Sequence, residues 1–363
     1  MESVNFTFPR YAQLALVLLS LSIIIVILYF GQHILIPILL SLLFAILLRP
    51  VVIFLNTKFR LPQVIAVFIT VAFFVVSIAT IVMFVSWQVS DITDDWGKIK
   101  VNLSAHFQHF QHWIRQRFHV SYHKQQNYIQ QVTQETINGD SDLMGNTLSS
   151  FTDALVSLIL IPIYTFLILL YRNHFTKFLY QVVSSKNEPV LQNILTQVKT
   201  VVQGYIIGLI IEMGIVAVLT TTGLMLLGVQ YAIFLGVITA ILNLIPYLGI
   251  IVAAFISILA TLVNSSEISM IIGIIVLNGV VQLIDNNLIV PKIVGNKVRI
   301  NALATMVGVI IGGAVSGVAG MILSIPLIAI IKVIFDHITP LKPVGFLLGN
   351  DLSENVKSIT IKK

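Results

Sequence analysis

Residues 231–263 read YAIFLGVITAILNLIPYLGIIVAAFISILATLV, an apolar run with Asn243, Pro246, Tyr247 and Gly249 at its middle. A transmembrane helix needs about 20 apolar residues to cross the hydrocarbon core, so this run is longer than one upright span. It is either a single tilted helix or a helical hairpin that reverses at the Pro and Gly cluster. The apolar run of residues 302–335 poses the same choice. Its middle contains Gly312, Gly313, Ser316, Gly317 and Gly320.

The composition places the whole chain in a membrane. Of its 363 residues, 57% are hydrophobic and 10% are charged, whereas about a quarter of the residues of a soluble domain are charged. The net charge of +6 comes from basic segments between the apolar runs. Such segments are typical of cytoplasmic loops and do not indicate a nucleic-acid partner. This sequence has no cysteine, which excludes disulfides and thiolate metal sites.

Six further apolar segments bring the prediction to about eight membrane segments in an all-α polytopic protein. They are residues 11–30, 34–55, 61–87, 148–171, 204–227 and 268–289. Residues 88–147 are polar, and bulky apolar side chains recur there at spacings of three and four, which predicts an extramembrane insert of amphipathic helices. These spacings relate Phe107, Phe110, Ile114 and Phe118, and the aromatic stripe of the insert consists of Phe107, Phe110, Trp113 and Phe118. Residues 172–203 are predicted to lie outside the bilayer as well, with a break at Pro189.

The charges of the loops favour hairpins over tilted spans. If Arg10 is cytoplasmic, the predicted spans place Arg49 on the same side and the acidic insert on the outer side. A single span over residues 231–263 would then put Lys292, Lys297 and Arg299 outside, whereas a hairpin puts them inside, as the positive-inside rule prefers. A second hairpin over residues 302–335 keeps the Lys-bearing tail inside too. Both termini are therefore predicted to be cytoplasmic.

This arrangement predicts an inverted repeat of one helix plus one hairpin. The organisation is three transmembrane helices in residues 1–87, the insert in 88–147, the fourth helix and a cytoplasmic segment in 148–203, one repeat in 204–263, the second in 264–340, and a cytoplasmic tail in 341–363. Inverted repeats with broken helices are a recurring signature of secondary transporters. Non-helical backbone at membrane depth is tolerated only where protein buries it or a wet cavity solvates it.

Two acidic residues in apolar runs are the strongest candidates for residues that line a solute or ion pathway. Glu212 lies mid-span, and Asp285 follows an apolar run. Each precedes its hairpin by nearly the same distance. Ionisable groups inside a membrane are costly and usually functional. The alternatives are a buried structural hydrogen bond for Glu212, and a helix cap or a pair with Lys292 for Asp285. Polar neighbours of Asp285 join the candidate pathway. They are Gln282, Asn286 and Asn287.

The two hairpin tips could line the same pathway. The first tip contributes Asn243, Pro246, Tyr247 and Gly249. The second contributes Gly312, Gly313 and Gly317. The alternative is that Pro and Gly serve only helix packing, as they often do in membrane helices.

No cofactor, metal site or enzymatic activity is predicted. His106, His109 and His112 repeat every third residue, a spacing that drifts around a helix and indicates a solvated face. The sequence has no phosphate-binding loop, nucleophile elbow or zinc-protease motif, which argues against an ATP-driven pump and against a hydrolase.

The chain resembles the AI-2E (autoinducer-2 exporter, PerM-like) transporter family over nearly its whole length. The resemblance rests on NLIPYLG at residues 243–249, on QxxDNN at residues 282–287 with Pro291 and Gly295, and on the glycines of residues 312–320 with Pro326. Ile250 and Ala302 stand where family members often have Pro. The resemblance implies a bacterial inner-membrane transporter that forms homo-oligomers, with a pentamer as one expected form. It implies either the signal autoinducer-2 or monovalent cations and protons as substrates.

We therefore expect an ion-coupled secondary transporter or exporter of a small polar solute. The alternative is an oligomeric channel or a non-transporting membrane scaffold. The expected partners are the lipid bilayer, the solute, a coupling cation and further copies of the chain, which the aromatic stripe of the insert would contact.

Overall fold

The computed structural model describes residues 9–94, 140–245, 248–262, 268–295 and 300–350. The long and medium helices are α1 (Arg10–Lys58), α2 (Gln63–Asp94), α3 (Asp140–Val182), α4 (Glu188–Leu226), α5 (Ala232–Leu242), α6 (Leu248–Leu262), α7 (Ile268–Ile284), α8 (Ala302–His337) and α9 (Lys342–Leu348). Two π-helical turns, Asp285–Ile289 and Pro291–Gly295, extend α7, and 3-10 turns precede α4 and α9. The described part of the chain has no β-strand beyond one isolated bridge between Ile300 and Gly349. It is an all-α fold, as predicted.

The first helix corrects the prediction of two separate spans. Residues 11–30 and 34–55 lie in one continuous helix of 49 residues, α1, with Pro37 and Pro50 inside it. No helix-breaking pair interrupts residues 31–33, and a lone Gly31 costs only about 1 kcal/mol in a helix interior. Arg10 and Lys58 are therefore at opposite ends of one helix. This removes the argument that placed Arg10 with Arg49 in the cytoplasm.

Helices α1, α2 and α3 pack together through small and branched side chains. Ala66 and Val67 of α2 are fully buried against Leu48 and Val52 of α1 and Leu169 of α3. Small residues let membrane helices approach closely where the lipid supplies no hydrophobic drive. The hydroxyl of Ser41 also donates to the Ile161 carbonyl of α3, at 2.9 Å.

Helix α4 is the central element of the second half. Pro189 lies in its first turn, where a missing N–H leaves no hydrogen bond unmade. The predicted break therefore falls just before Pro189. From there α4 continues without interruption through the segment predicted to be extramembrane and the fifth span. One buried stripe follows helical spacing along its length. It consists of Val202, Tyr205, Ile206, Gly208, Glu212, Val216, Thr220 and Leu224.

Residues 231–263 form a hairpin, as the charge argument predicts. α5 ends at Leu242, the chain turns, and α6 begins at Leu248. Phe234 and Leu235 near the start of α5 share a buried cluster with Ala260 near the end of α6. The two helices therefore run antiparallel, and we call them hairpin 1.

The apolar run over residues 302–335 is also folded back. Within α8, Ser316 and Gly317 leave helical geometry, and Gly317 has φ +58°, a conformation that favours glycine. Ser324 then donates its hydroxyl to the Gly308 carbonyl at 2.8 Å. Residues on either side of the turn therefore face each other, and we call this element hairpin 2.

The two hairpins open toward opposite ends of α4. The base of hairpin 1 packs against Leu224 near the end of α4. At the base of hairpin 2, His337 lies 3.4 Å from Gln197 near the start of α4. Hairpin 1 and hairpin 2 are thus inverted with respect to each other.

Basic residues gather at the α4 end where hairpin 2 opens. Gln203 of α4 donates to the Ile46 carbonyl at 2.6 Å, and Gln63 of α2 donates to the Leu170 carbonyl at 3.3 Å, so the nearby ends of α1, α2 and α3 meet there. We call this the basic end. Its basic residues include Arg49, Lys58, Arg60, Arg172, Lys186, Lys199, Lys292 and Lys332. No Lys or Arg occurs between Lys199 and Lys292, so the opposite end of α4 has no basic residue of its own.

Length and composition qualify six of the described helices as membrane spans, and two shorter apolar helices form hairpin 1. One of the six is α8, which contains both arms of hairpin 2 and reverses at Ser316 and Gly317. Large apolar side chains remain exposed on the outside of the bundle, as in Phe68, Phe73 and Leu226. The chain is a multi-pass membrane protein.

Candidate functional site

Three polar side chains from three elements meet inside the second half of the protein. The Asn243 amide nitrogen donates to Glu212 Oε1 at 3.2 Å and to Asp285 Oδ2 at 3.0 Å. Glu212 is 7% exposed and Asp285 is 3% exposed. The two carboxylates, widely separated in sequence, are thus joined through one amide, and we call the three residues the carboxylate site.

Local geometry explains why each residue reaches the site. Glu212 lies on the buried stripe at the middle of α4. Asn243 is the first residue after α5, at the tip of hairpin 1. Asp285 begins the first π-helical turn after α7, and π-turns inside helices occur frequently at functional sites. Pro291, which has no N–H to donate, opens the second such turn.

Gly249 holds the tip of hairpin 1 together. It is buried, and a Cβ built on it would collide with the carbonyl of Leu242 and the amide of Asn243. Only glycine lets α6 start this close to the end of α5. The contact fixes the backbone that carries Asn243, so Gly249 positions the site without touching either carboxylate.

The site brings two acidic side chains close together. Because both carboxylate oxygens bond the same nitrogen, they lie within about 6 Å of each other. Two unit charges at that distance repel by about 3 kcal/mol at an effective dielectric constant of about 20. In the described part of the chain no Lys or Arg forms a salt bridge with either acid, and Asp285 Oδ1 is buried without a hydrogen-bond partner. A proton or a small cation bound between two such acids would remove their repulsion.

Other predicted pathway residues around Asp285 lie away from the carboxylate site. Gln282 donates to Asn286, and Asn287 donates to the Leu283 carbonyl. Asn286 and Asn287 are exposed on the surface of the π-helical turn that follows α7. Asp285 itself bonds to Asn243 inside the bundle, and the described contacts do not pair it with Lys292. Pro246 and Tyr247 lie outside the described residues, as do His106, His109 and His112.

The glycines of hairpin 2 serve close contact between its own arms. A Cβ on Gly312 would meet the Gly320 carbonyl and the Ser324 hydroxyl, and one on Gly313 would meet Met321. Ser316 at the turn donates to Gln32 of α1 at 3.3 Å. The described contacts do not bring Gly312, Gly313 or Gly317 to the carboxylate site. The surroundings of Gly312 and Gly313 fit the packing alternative, whereas a Cβ on Gly317 would meet nothing within 4 Å, and this glycine supplies the positive φ of the turn.

Sequence reasoning missed a second group of buried polar residues in the same bundle. Thr220, Ser257 and Asn278 are almost fully buried. Their signal was present in the spacing, since Thr220 follows Glu212 by two helical turns and Asn278 precedes Asp285 by two turns. Single hydroxyls and amides in apolar runs are too common to be singled out without this pairing. In the described residues no group of His, Cys, Asp and Glu is arranged to hold a metal ion.

Comparison with known proteins supplies the family context. The profile of the AI-2E family transporters matches residues 18–339. A Haemophilus influenzae protein named "Putative transport protein" is 27% identical over 348 residues, which cover 92% of this chain and 96% of the relative. The Escherichia coli protein named "AI-2 transport protein TqsA" is 23% identical over 324 residues, covering 88% of this chain and 91% of the relative.

Shorter alignments reach somewhat higher identity. The Bacillus subtilis proteins YrrI and YueF are 29% and 31% identical over 133 and 135 residues, respectively. These alignments span only 37% and 36% of the relatives' lengths, little more than a third of each protein. The similarity to these two is therefore confined to one part of the chain, whereas the family profile covers most of it.

Proposed function

The chain belongs to the AI-2E transporter family, and from that premise we propose that it is a secondary transporter that exports a small polar solute in exchange for protons or sodium ions. The candidate solutes are a signal molecule like autoinducer-2 and a monovalent cation. The name of the Escherichia coli relative, an AI-2 transport protein, supports the first. The positive-inside rule supports placing the basic end in the cytoplasm of a bacterial inner membrane, with residues 341–350 on that side.

The observation that carries the proposal is the pair Glu212 and Asp285 bridged by Asn243. A proton or cation on the pair removes the repulsion between the acids. Its release restores the repulsion, which pushes the two acids apart on either side of Asn243. Because Asn243 belongs to the tip of hairpin 1, occupancy of the pair is linked to the position of that tip. A transporter needs such a link between ion binding and a movable element.

The inverted hairpins supply the movable elements. Hairpin 1 opens to one end of α4 and hairpin 2 to the other, and small movements of either would expose the bundle interior to one side at a time. Alternating access in inverted-repeat transporters is largely rocking of one such element against the rest. In this proposal hairpin 1 carries the ion-sensing residue, and hairpin 2 is braced against α1 through Ser316.

The chain is further proposed to act as a homo-oligomer, possible forms of which include a pentamer. Support comes from the family resemblance and from the apolar side chains that α1 leaves exposed over its first half, such as Leu19, Ile23 and Ile27. The mass of the detergent-solubilised protein, measured by light scattering with the detergent subtracted, tests this proposal. A monomeric mass in several mild detergents would contradict it.

Transport by purified protein in lipid vesicles tests the main proposal. Vesicles with an internal pH dye are given a pH gradient or a sodium gradient, with autoinducer-2, Na⁺, Li⁺ or K⁺ offered in turn. We expect one of these solutes to move faster when one of the gradients is imposed. Glu212→Gln and Asp285→Asn should each reduce the gradient-driven flux at least about tenfold. Glu188→Gln, an exposed acid at the start of α4, is the matched control and should keep the wild-type flux.

The alternatives predict different outcomes. A channel would conduct solute at a rate indifferent to both gradients, and a scaffold would move none of the four. Gradient-driven flux that persists in both Glu212→Gln and Asp285→Asn would show that transport occurs without the carboxylate site.

A further inference from the structure

The bundle around the carboxylate site has a second polar layer. α4 contacts α5, α5 contacts α6, α6 contacts α7, and α7 contacts α4, so the four helices surround one interior. Next to the carboxylate site this interior is apolar, with Val216, Ala240 and Val281 in one buried cluster. Beyond that cluster, toward the base of hairpin 1, lie Thr220, Ser257 and Asn278.

These three residues lie at one height in the bundle. α4 and α7 run antiparallel, since Gly223 meets Leu277 just as Glu212 lies opposite Asp285. Thr220 and Asn278 are each two turns from their carboxylate, about 11–12 Å along the helix axes at 1.5 Å per residue. On α6, Ser257 is eight residues past Gly249 at the hairpin tip, which is again about 12 Å.

The two hydroxyls of this layer are unusual for membrane helices. A Ser or Thr inside a helix commonly donates to the carbonyl four residues earlier. Thr239 does so with Leu235 and Thr261 does so with Ser257, each at 2.7 Å. The hydroxyls of Thr220 and Ser257 have no hydrogen-bond partner, although both residues are 0% exposed.

Asn278 completes the set with an acceptor. Its amide nitrogen donates to the Ile274 carbonyl at 2.9 Å, which leaves Oδ1 as the accepting atom of the side chain. The layer therefore offers two hydroxyl donors and three acceptor oxygens from three helices. Buried polar groups left without partners cost free energy, and ordered water with two to four polar partners is the usual remedy.

We propose that Thr220, Ser257 and Asn278 bind water and form a relay station on a proton path between the carboxylate site and the end of the bundle where hairpin 1 opens. Water fits the chemistry better than a bare alkali cation. A cation takes the lone pairs of the two hydroxyls but accepts neither of their hydrogens, whereas water accepts the hydrogens and donates in return. A cation site built from hydroxyls would keep the backbone hydrogen bonds that Thr220 and Ser257 lack.

The proton part of this inference rests on the proposed function and narrows it. Protons, which pass along hydrogen-bonded water, become the coupling ion in place of sodium. The apolar cluster of Val216, Ala240 and Val281 separates the hydrated layer from the carboxylates. Dry apolar constrictions of this kind gate pores by excluding water, so protons would cross only when movement of hairpin 1 opens the cluster.

Proton flux into reconstituted vesicles tests the relay. We compare wild type with Thr220→Val plus Ser257→Ala, which remove both hydroxyls while nearly keeping their shapes. The internal pH dye should report a flux at least about tenfold lower in the double variant. Thr220→Ser alone keeps a hydroxyl at this position and should keep most of the wild-type flux. The matched control is Thr239→Val, which removes a hydroxyl of α5 that is already bonded to its own helix. It should leave the flux within about twofold of wild type.

Thermal unfolding in detergent decides whether the layer holds water, independently of any transport. If Thr220 bonds to water, Thr220→Val loses those bonds and lowers Tm, by about 2 °C or more. If the layer is dry, the same change removes an unsatisfied hydroxyl and raises Tm, which overturns the inference.

The outcomes separate the inference from the proposed function. Wild-type flux in the double variant overturns the relay and leaves the carboxylate site in place. Transport driven by sodium but not by protons overturns the relay while the secondary transporter stands. If the wild-type protein shows no gradient-driven transport, both the proposed function and the proton role are overturned. The Tm of Thr220→Val then decides only whether the layer binds water.

Discussion

Glu212 and Asp285 lie on helices that run in opposite directions, yet both accept a hydrogen bond from the same side-chain nitrogen, that of Asn243. The nitrogen belongs to a hairpin tip and the acids belong to continuous helical elements. Neither acid has a basic partner in the described part of the chain. In the proposed mechanism, the link between ion occupancy and the position of hairpin 1 passes through this one amide.

Replacing that amide by an apolar group of similar size should uncouple the site. Asn243→Leu removes hydrogen bonds to two acids, and each bond to a charged group is worth about 1.5–3 kcal/mol. We expect gradient-driven transport in vesicles to fall by about 10-fold to 100-fold. The control is Asn287→Leu on the exposed face of the π-turn after α7, whose side chain bonds only to the Leu283 carbonyl. It should stay within about twofold of wild type, and an active Asn243→Leu variant would exclude the amide as the coupling element.

Adding one methyl group at Gly249 should weaken the tip of hairpin 1. Gly249→Ala places a Cβ against the carbonyl of Leu242, and overpacking of this kind costs about 1–3 kcal/mol. We expect a lower Tm together with slower transport, because the displaced backbone carries Asn243. Gly279→Ala on α7, where a Cβ meets nothing within 4 Å, should leave both quantities close to those of wild type. Equal Tm values for the two variants would show that the tip is loosely packed.

The orientation of the bundle can be determined with single cysteines, since these 363 residues contain none. Gln230 is exposed at the base of hairpin 1, and Lys292 is exposed near the basic end. With the basic end in the cytoplasm, an impermeant thiol reagent added to intact cells should label Gln230→Cys and spare Lys292→Cys. Permeabilised cells should label both, which controls for reactivity. Labelling of Lys292→Cys alone in intact cells would show that the bundle has the opposite orientation, with the basic end outside.

The sequence predicted the second half of the fold better than the first. Loop charge distinguished hairpins from tilted spans because a change of side moves several basic residues at once, and both hairpins are present. The continuity of α1 was missed because composition alone does not distinguish two separate spans from one helix of twice the length. Loop charge gave no warning, since Arg10 is the only basic residue before Arg49.

The sequence singled out Glu212 and Asp285 but not the residue that joins them. Glu212 and Asp285 stood out because a charge in an apolar run is rare. The shared donor Asn243 became visible only when hairpin 1 was folded, because its distance from either acid in sequence carries no signal. Asn286 and Asn287 were included as neighbours of Asp285, but successive residues on a helix point in different directions, and these two face outward.

Continuity of α1 makes a last prediction, which concerns its contact with hairpin 2. Ser316 at the hairpin turn bonds to Gln32 of α1, at the place where the sequence suggested a loop between two spans. In a continuous helix Gln32 faces the tip, while the next residue, His33, is turned by about 100° and is exposed. Gln32→Cys combined with Ser316→Cys should therefore be joined by a short thiol-to-thiol crosslinker, since a cysteine side chain is shorter than glutamine. His33→Cys combined with Ser316→Cys should give little of the linked product.

The linked peptides would be identified by mass spectrometry after proteolysis. A break at residues 31–33 would place both positions in a loop, and the two pairs would then react alike or not at all. Efficient linkage of the Gln32 pair alone would show that α1 passes the tip of hairpin 2 as a rigid helix. Hairpin 2 would then be braced on the α1 side, and hairpin 1, which carries Asn243, would be the freer of the two to move.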